Sequence, residues 1–283
     1  MASFYNQATL SYNGNLINSN VTAGEIVETL SVSKTAVTPT YSVGDKITYI
    51  VNIVNSGATP FTNLTLTDDL GAYSLGAVTV TPLTYKDGSL RYFINGELQT
   101  PPTVTASDPL SLTRINIPAH SNATIVYETD VNNRAPLAAG SEINNTVTIA
   151  GDSITTPVTD EEIVRVEGRP NLSIVKALTP TTVNENGIVT YTITVQNTGN
   201  TATSASDNLY ITDTFNPALS NISVALNGAQ LPASSYTYDE ATGVFTTEAG
   251  VISVPAATYT QNPTTGVWTV TPGTTVLTVT GTI

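Results

Sequence analysis

The sequence predicts an all-β chain of two tandem sandwich domains, and three observations carry that reading. The first is composition. The 283 residues are 40% hydrophobic, rich in Thr and Val, and include 16 Pro and 19 Gly; this favours many short strands joined by turns. The second is patterning. Apolar and polar residues alternate cleanly in stretches such as Leu30-Ser31-Val32-Ser33-Lys34, and no long segment has a helical period. The third is repetition: the plan of the first half recurs in the second, at a length that suits two domains of ordinary size.

Taken in order, the chain opens with Tyr5-Asn6-Gln7-Ala8-Thr9-Leu10-Ser11-Tyr12. It reads as a strand with Asn6, Ala8, Leu10 and Tyr12 on one face and Gln7, Thr9 and Ser11 on the other. Residues 1–12 are expected to be a donor strand, and the polar residues 13–28, with Asn13-Gly14, a linker. The first domain spans 29–150. Its strands are expected at 30–34, 47–54, 64–69, 78–80, 90–94, 112–117, 123–131 and 143–149, with turns at Thr38-Pro39, Val43-Gly44-Asp45, Asn55-Ser56-Gly57 and Asn95-Gly96.

Residues 151–170 read as an interdomain linker and 171–283 as the second domain. There Asn171-Leu172-Ser173-Ile174-Val175-Lys176 matches 29–34, residues 187–199 match 45–57, and Leu209-Tyr210-Ile211-Thr212-Asp213 matches 64–68. Residues 275–283 match the penultimate strand of the first domain, and the counterpart of 132–149 is missing. A near copy of that final strand, Asn144-Asn145-Thr146-Val147-Thr148-Ile149, stands instead at the front, around Asn6. Asn6 precedes Lys34 by about as many residues as Asn145 precedes Lys176, and Gly24-Glu25-Ile26-Val27 resembles Glu161-Glu162-Ile163-Val164. Residues 4–34 thus read as a loose copy of 143–176.

The segments 30–57 (Leu-Ser-Val-Ser-Lys-Thr, Val-Gly-Asp-Lys-Ile-Thr-Tyr, Val-Asn-Ser-Gly), 64–68 (Leu-Thr-Leu-Thr-Asp) and 144–149 resemble the bacterial surface repeat of unknown function known as "DUF eleven". The resemblance covers nearly the whole chain. It implies Greek-key immunoglobulin-like sandwiches, usually strung in tandem on bacterial surface proteins.

A sandwich without its last strand exposes core and leaves ladder groups unpaired. Each such buried group costs about 1–3 kcal/mol, and each apolar side chain of a supplied strand returns about 1.5–3 kcal/mol. The expected result is donor-strand complementation: Asn6, Ala8, Leu10 and Tyr12 of one copy enter the second domain of another. A head-to-tail contact of this kind propagates into a homopolymer. Two alternatives remain: a mobile N-terminus on a truncated second domain, or residues 6–12 folding back into their own chain.

Repetition also aligns reactive residues: Lys34, Asp68 and Asn145 in the first domain, and Lys176, Asp213 and the incoming Asn6 in the second. Lys, Asn and an acid meeting in a sandwich core can form an isopeptide bond with loss of ammonia. Burial favours the neutral amine, Asp68 or Asp213 would move protons, and the fold supplies high effective concentration. The family resemblance extends to pilins and adhesins with such bonds. The competing reading is that the lysines pair with Asp68 and Asp213 and the asparagines bridge strands.

Other classes fare worse. A net charge of −13 with 9 Lys+Arg is poor for nucleic-acid binding. The absence of cysteine removes disulfides, thiolate metal sites and Cys nucleophiles. The single histidine, His120, sits in a turn, and Asp68-Asp69 and Asp160-Glu161-Glu162 lack an EF-hand spacing for calcium. No metal or cofactor is expected, and no enzyme beyond an autocatalytic cross-link. No run reaches transmembrane length. Met1-Ala2-Ser3-Phe4-Tyr5 has no signal-peptide pattern, so either a leader was removed, export is unconventional, or assembly occurs inside a cell that later lyses, as in sporulation. The expected role is a structural subunit of an extracellular or endospore-surface filament; the alternative is a monomeric adhesin stalk or ligand-binding module.

Overall fold

A computed structural model describes residues 2–26 and 29–283. Met1, Val27 and Glu28, which fall in the expected donor segment and linker, lie outside the described residues. The chain is all-β and builds sandwiches around two core clusters.

Around the first core, one sheet runs in the order Glu97–Gln99, Arg91–Ile94, Ser121–Val131, Lys46–Asn55, Leu30–Ala36. Its long central strands alternate strictly, so every second side chain of Ser121–Val131 is buried. The facing sheet runs Thr103–Ser107, Leu110–Ile117, Phe61–Asp68, Glu142–Ala150, Val158–Val166, Thr40–Tyr41. Below, Leu30–Ala36 is the lysine strand, Phe61–Asp68 the aspartate strand, Ser121–Val131 the tyrosine strand, Glu142–Ala150 the asparagine strand and Val158–Val166 the cover strand.

The cover strand corrects an expectation. Residues 151–170 are not simply a linker, and residues 143–149 do not close the domain. Val158–Val166 pairs antiparallel with the asparagine strand over eight positions and parallel with Thr40–Tyr41. Its inward positions include Asp160 and Glu162 beside the buried Val164; these two acids interrupt the apolar alternation and hide the strand in the sequence.

Around the second core, a five-stranded sheet runs Leu172–Thr179, Ile188–Asn197, Gly273–Thr282, Ser220–Leu226, Ala229–Gln230. It faces three short strands, Thr212–Thr214, Val244–Thr247 and Tyr236–Asp239. Of the expected strand at 209–213, only Thr212 and Asp213 lie in a ladder. The aspartate strand of the first sandwich is held on both sides, by Leu110–Ile117 and by the asparagine strand, whereas Thr212–Thr214 is held only by Val244–Thr247.

A hairpin of Thr258–Gln261 and Trp268–Thr271 leaves the second sandwich and docks on the first. The Trp268 backbone N–H donates to Asn133 O at 3.0 Å, its indole N–H donates to Arg134 O at 3.2 Å, and Gln261 Nε2 donates to the Tyr73 hydroxyl at 2.5 Å. Trp268 thus joins the two sandwiches.

The front of the chain also departs from expectation. Residues 13–28 are not a linker up to the described limit: Asn15–Asn18 pairs with Thr9–Tyr12, and Thr22–Ile26 pairs with Ala2–Asn6. Asn13 and Gly14 take left-handed φ values of 49° and 80°, the geometry of a two-residue hairpin turn. The expected donor segment is therefore, over its described residues, one arm of a hairpin, interrupted at Gln7-Ala8. Its residues lie outside both cores, and Phe4, Leu10, Tyr12, Leu16 and Ile17 are exposed.

Candidate functional site: two lysine–aspartate centres

The first centre forms where the two sheets of the first sandwich face each other. Alternation along the lysine strand turns Leu30, Val32 and Lys34 inward. Opposite it, the aspartate strand ends on Asp68, in register with Val147 of the asparagine strand. The chain then turns sharply through Leu70 and Gly71, with φ of 56° and 71°. That turn is tied to the asparagine strand, because the Asp69 N–H donates to Thr146 O and the Thr146 N–H donates to Asp69 Oδ1. It leaves the Gly71 N–H aimed at Asn145 Oδ1, at 3.2 Å. A β-carbon at Gly71 would sit 2.3 Å from the Ile143 side chain, so the close approach requires glycine.

Lys34, Asp68 and Asn145 are all buried. Lys34 Nζ donates to Asp68 Oδ2 at 2.5 Å, the Tyr127 hydroxyl donates to the same oxygen, and the Leu70 N–H donates to Asp68 Oδ1 at 2.8 Å. The ammonium lies 4.8 Å from the Tyr49 ring centroid. Burial pulls the Lys34 pKa below its usual value, against the opposing attraction of Asp68. Burial also pushes the Tyr127 pKa well up, with the Asp68 charge adding to it, so Tyr127 keeps its proton as a donor. The Asn145 side-chain nitrogen has no hydrogen-bond partner among the described residues, nor does the Tyr49 hydroxyl. The two groups lie near each other, outside hydrogen-bond geometry.

The second centre repeats the first in part. Lys176 stands opposite Ile193, as Lys34 stands opposite Val51. Lys176 Nζ is 2.5 Å from Asp213 Oδ2, but the contact lacks hydrogen-bond geometry and Asp213 Oδ2 remains unsatisfied. The ammonium lies 4.5 Å from the Tyr191 centroid and 5.3 Å from that of Phe215. Tyr191 corresponds to Tyr49; yet Tyr49 is paired with Tyr127, and Tyr191 with Val279. The acid of the second centre therefore has no tyrosine donor from that strand.

Burial separates the centres further. Leu30 is 6% exposed and its counterpart Leu172 is 40% exposed. The Lys34 side chain is fully buried, whereas that of Lys176 is 40% exposed. Ile174 and Tyr210 also face out, beside a groove lined by Leu172, Ile174, Val195, Leu209, Tyr210 and Ile252. Residues 171–283 supply no equivalent of the asparagine or cover strand.

The structure thus brings Lys34, Asp68 and Asn145 into one buried site and Lys176 against Asp213. Asn6 reaches neither centre: it is exposed on the N-terminal hairpin, opposite Thr22, as are Ala8, Leu10 and Tyr12. Sequence reasoning missed Tyr127, Asp160 and the Gly71 turn. Tyr127 was legible as an inward position on the tyrosine strand; Asp160, whose Oδ2 accepts the Lys34 backbone N–H at 2.7 Å, was not. His120 occupies a left-handed turn position, and its backbone N–H donates to Gly57 O.

No protein-family model matches the chain, and no curated protein matches it. Among solved structures, it is similar to the major pilin subunit BcpA of Bacillus cereus, at 13% identity and a TM-score of 0.35 over 96% of this chain and 73% of that one. It is similar to the full-length major pilin RrgB of Streptococcus pneumoniae, at 15% identity and a TM-score of 0.36 over 88% of this chain and 42% of that one. A collagen-binding domain from a Staphylococcus aureus adhesin aligns at 11% identity and a TM-score of 0.31, over 49% of this chain and 99% of that domain. Likeness at this level carries no function to the chain, and the reading below rests on the chain's own geometry.

Proposed function

We propose that the protein is a structural subunit of a bacterial surface filament, on a cell or an endospore, assembled head-to-tail by donation of its N-terminal segment to the second sandwich of another copy. The observation that carries this reading is the contrast between the centres. The same lysine and acid are enclosed by the chain's own asparagine strand in one sandwich and left beside an open apolar groove in the other. A segment with Asn6, Ala8 and Leu10 on one face repeats the inward Asn145, Val147 and Ile149.

Each complete centre forms one isopeptide bond. The neutral Lys34 amine attacks Cγ of Asn145, a carbon–nitrogen bond forms, and the bond from Cγ to the side-chain nitrogen breaks. Asp68 takes the proton lost by the lysine and passes it to the departing nitrogen, which leaves as ammonia. Tyr127 and the Leu70 N–H hold Asp68 in place. The nitrogen that departs is a buried group without a partner among the described residues, so the reaction removes an unsatisfied donor that costs about 1–3 kcal/mol. Lys176, Asp213 and Asn6 of the next copy carry the same step between subunits. Such a cross-link needs no oxidant and suits a chain without cysteine. Catalysis is confined to this single autocatalytic turnover.

Intact mass of the monomer tests the first centre: it should lie below the sequence mass by one ammonia. Assembled material should keep its ladder in SDS after boiling. Boiled filaments that release only monomer of unmodified mass would rule the covalent reading out.

A further inference from the structure

We infer that the element donated between copies is a two-stranded hairpin, residues 2–26, whose return arm seals the second sandwich as the cover strand seals the first. The inference rests on the donor reading above and specifies its occupant.

Inside the chain, the groove of the first sandwich is filled by a hairpin. The asparagine strand enters beside the aspartate strand, and the cover strand returns to lie along the lysine strand, where Asp160 accepts the Lys34 N–H. Two cross-strand pairs mark its inner face: Asn145 opposite Glu162 and Ile149 opposite Val158. The N-terminal hairpin carries two pairs at the same separation on its first arm, Asn6 opposite Thr22 and Leu10 opposite Ile17. Its return arm has one extra residue between those pairs, a bulge placed where the first arm breaks at Gln7-Ala8.

Cross-strand partners share a face, so Ile17 joins Leu10 on one side, with Tyr12 two positions beyond Leu10 along the same strand. These apolar residues are exposed, and an isolated two-stranded hairpin is at best marginally stable in water. The second sandwich lacks both strands of such a hairpin, and its lysine strand is exposed at every position from Leu172 to Ala177. A single donated strand would leave Ile174 and Lys176 uncovered; a hairpin covers them.

The test compares Leu10→Asp with Ile17→Asp in the full chain. Neither residue belongs to a core, so thermal midpoints of the sandwiches should stay unchanged. Assembly is read by negative-stain microscopy and size-exclusion chromatography. Both variants should assemble at least 10-fold less than the unaltered chain, and amide exchange in assembled wild-type protein should slow across 15–26 as well as 2–12. Normal assembly by Ile17→Asp, with Leu10→Asp impaired and protection confined to 2–12, overturns the hairpin and leaves strand donation standing. Normal assembly by both variants overturns donation itself.

Discussion

The two lysine strands share sequence, register and an acid partner, and differ in what lies over them. Leu30–Ala36 is roofed by the asparagine and cover strands, so Lys34 loses its hydration and burial pulls its pKa below the usual lysine value. Leu172–Thr179 has no roof, and Lys176 keeps partial contact with water. The environment of each lysine is therefore set by the covering hairpin as much as by the lysine strand itself. On the proposed cross-link, the segment that closes the second groove would have to supply an asparagine and also the desolvation that favours the neutral amine.

The largest expected effect separates the two lysines. Lys34→Met should remove the first cross-link. Loss of a covalent closure over roughly 100 residues costs about 4–5 kcal/mol by analogy with disulfides. Calorimetry should show the thermal midpoint falling on the order of 10–20 °C. Lys176→Met should shift the monomer by about 1 kcal/mol or less and abolish only the boil-resistant ladder. Equal shifts from the two substitutions would erase the distinction between the centres.

Asn145→Ala sharpens the contrast by leaving Lys34 buried and free. Its monomer should have the mass of its sequence, with no ammonia lost. Because the folded-state pKa of Lys34 lies below 10.5, the unfolded state binds the extra proton between those two values. Stability of this variant should rise with pH through that window. Above about pH 10 the trend should reverse, since Tyr127 and Tyr49 hold their protons when folded and lose them when unfolded. Urea midpoints across pH 7–11 give the answer; a flat profile would mean that Lys34 is solvated.

Tyr127→Phe tests the donor that the second centre lacks. A hydrogen bond to a charged group is worth about 1.5–3 kcal/mol, so ammonia loss during refolding should slow roughly 10- to 100-fold while the fold persists. An unchanged rate would remove Tyr127 from the mechanism. The smallest effect concerns the junction. Trp268→Ala deletes one indole hydrogen bond to the first sandwich, a loss of about 0.5–1.5 kcal/mol. Small-angle scattering should broaden, with each sandwich melting as before; an unaltered profile would show that the other junction contacts suffice.

Much of this was legible in the sequence because strand alternation has a period of two and the chain repeats itself. Leu30-to-Lys34, the 47–54 strand and the Asn95-Gly96 turn fall where the pattern places them. Aligning the repeats put each lysine with its acid, and the Lys34–Asp68 and Lys176–Asp213 contacts are those of the reading set against a cross-link, in which the lysines pair with the acids. What stayed hidden was tertiary. The cover strand carries acids at inward positions because Asp160 serves a backbone N–H 126 residues away, and no local pattern signals that. The return arm of the N-terminal hairpin is rich in asparagine and lacks alternation, so it reads as linker until Asn13-Gly14 folds it back. The extension of the second sandwich toward Arg134 and Tyr73 depends on how the two sandwiches meet.

The most direct test of the account is cross-linked peptide mapping of filaments grown from a mixture of light and nitrogen-15-labelled chains. The expected result is Lys34 joined to Asn145 within single chains, and Lys176 joined to Asn6 with light and heavy partners mixed. Free Lys176 and unmodified Asn6 in every assembled species, or a Lys176–Asn6 bond found only within one chain, would contradict it.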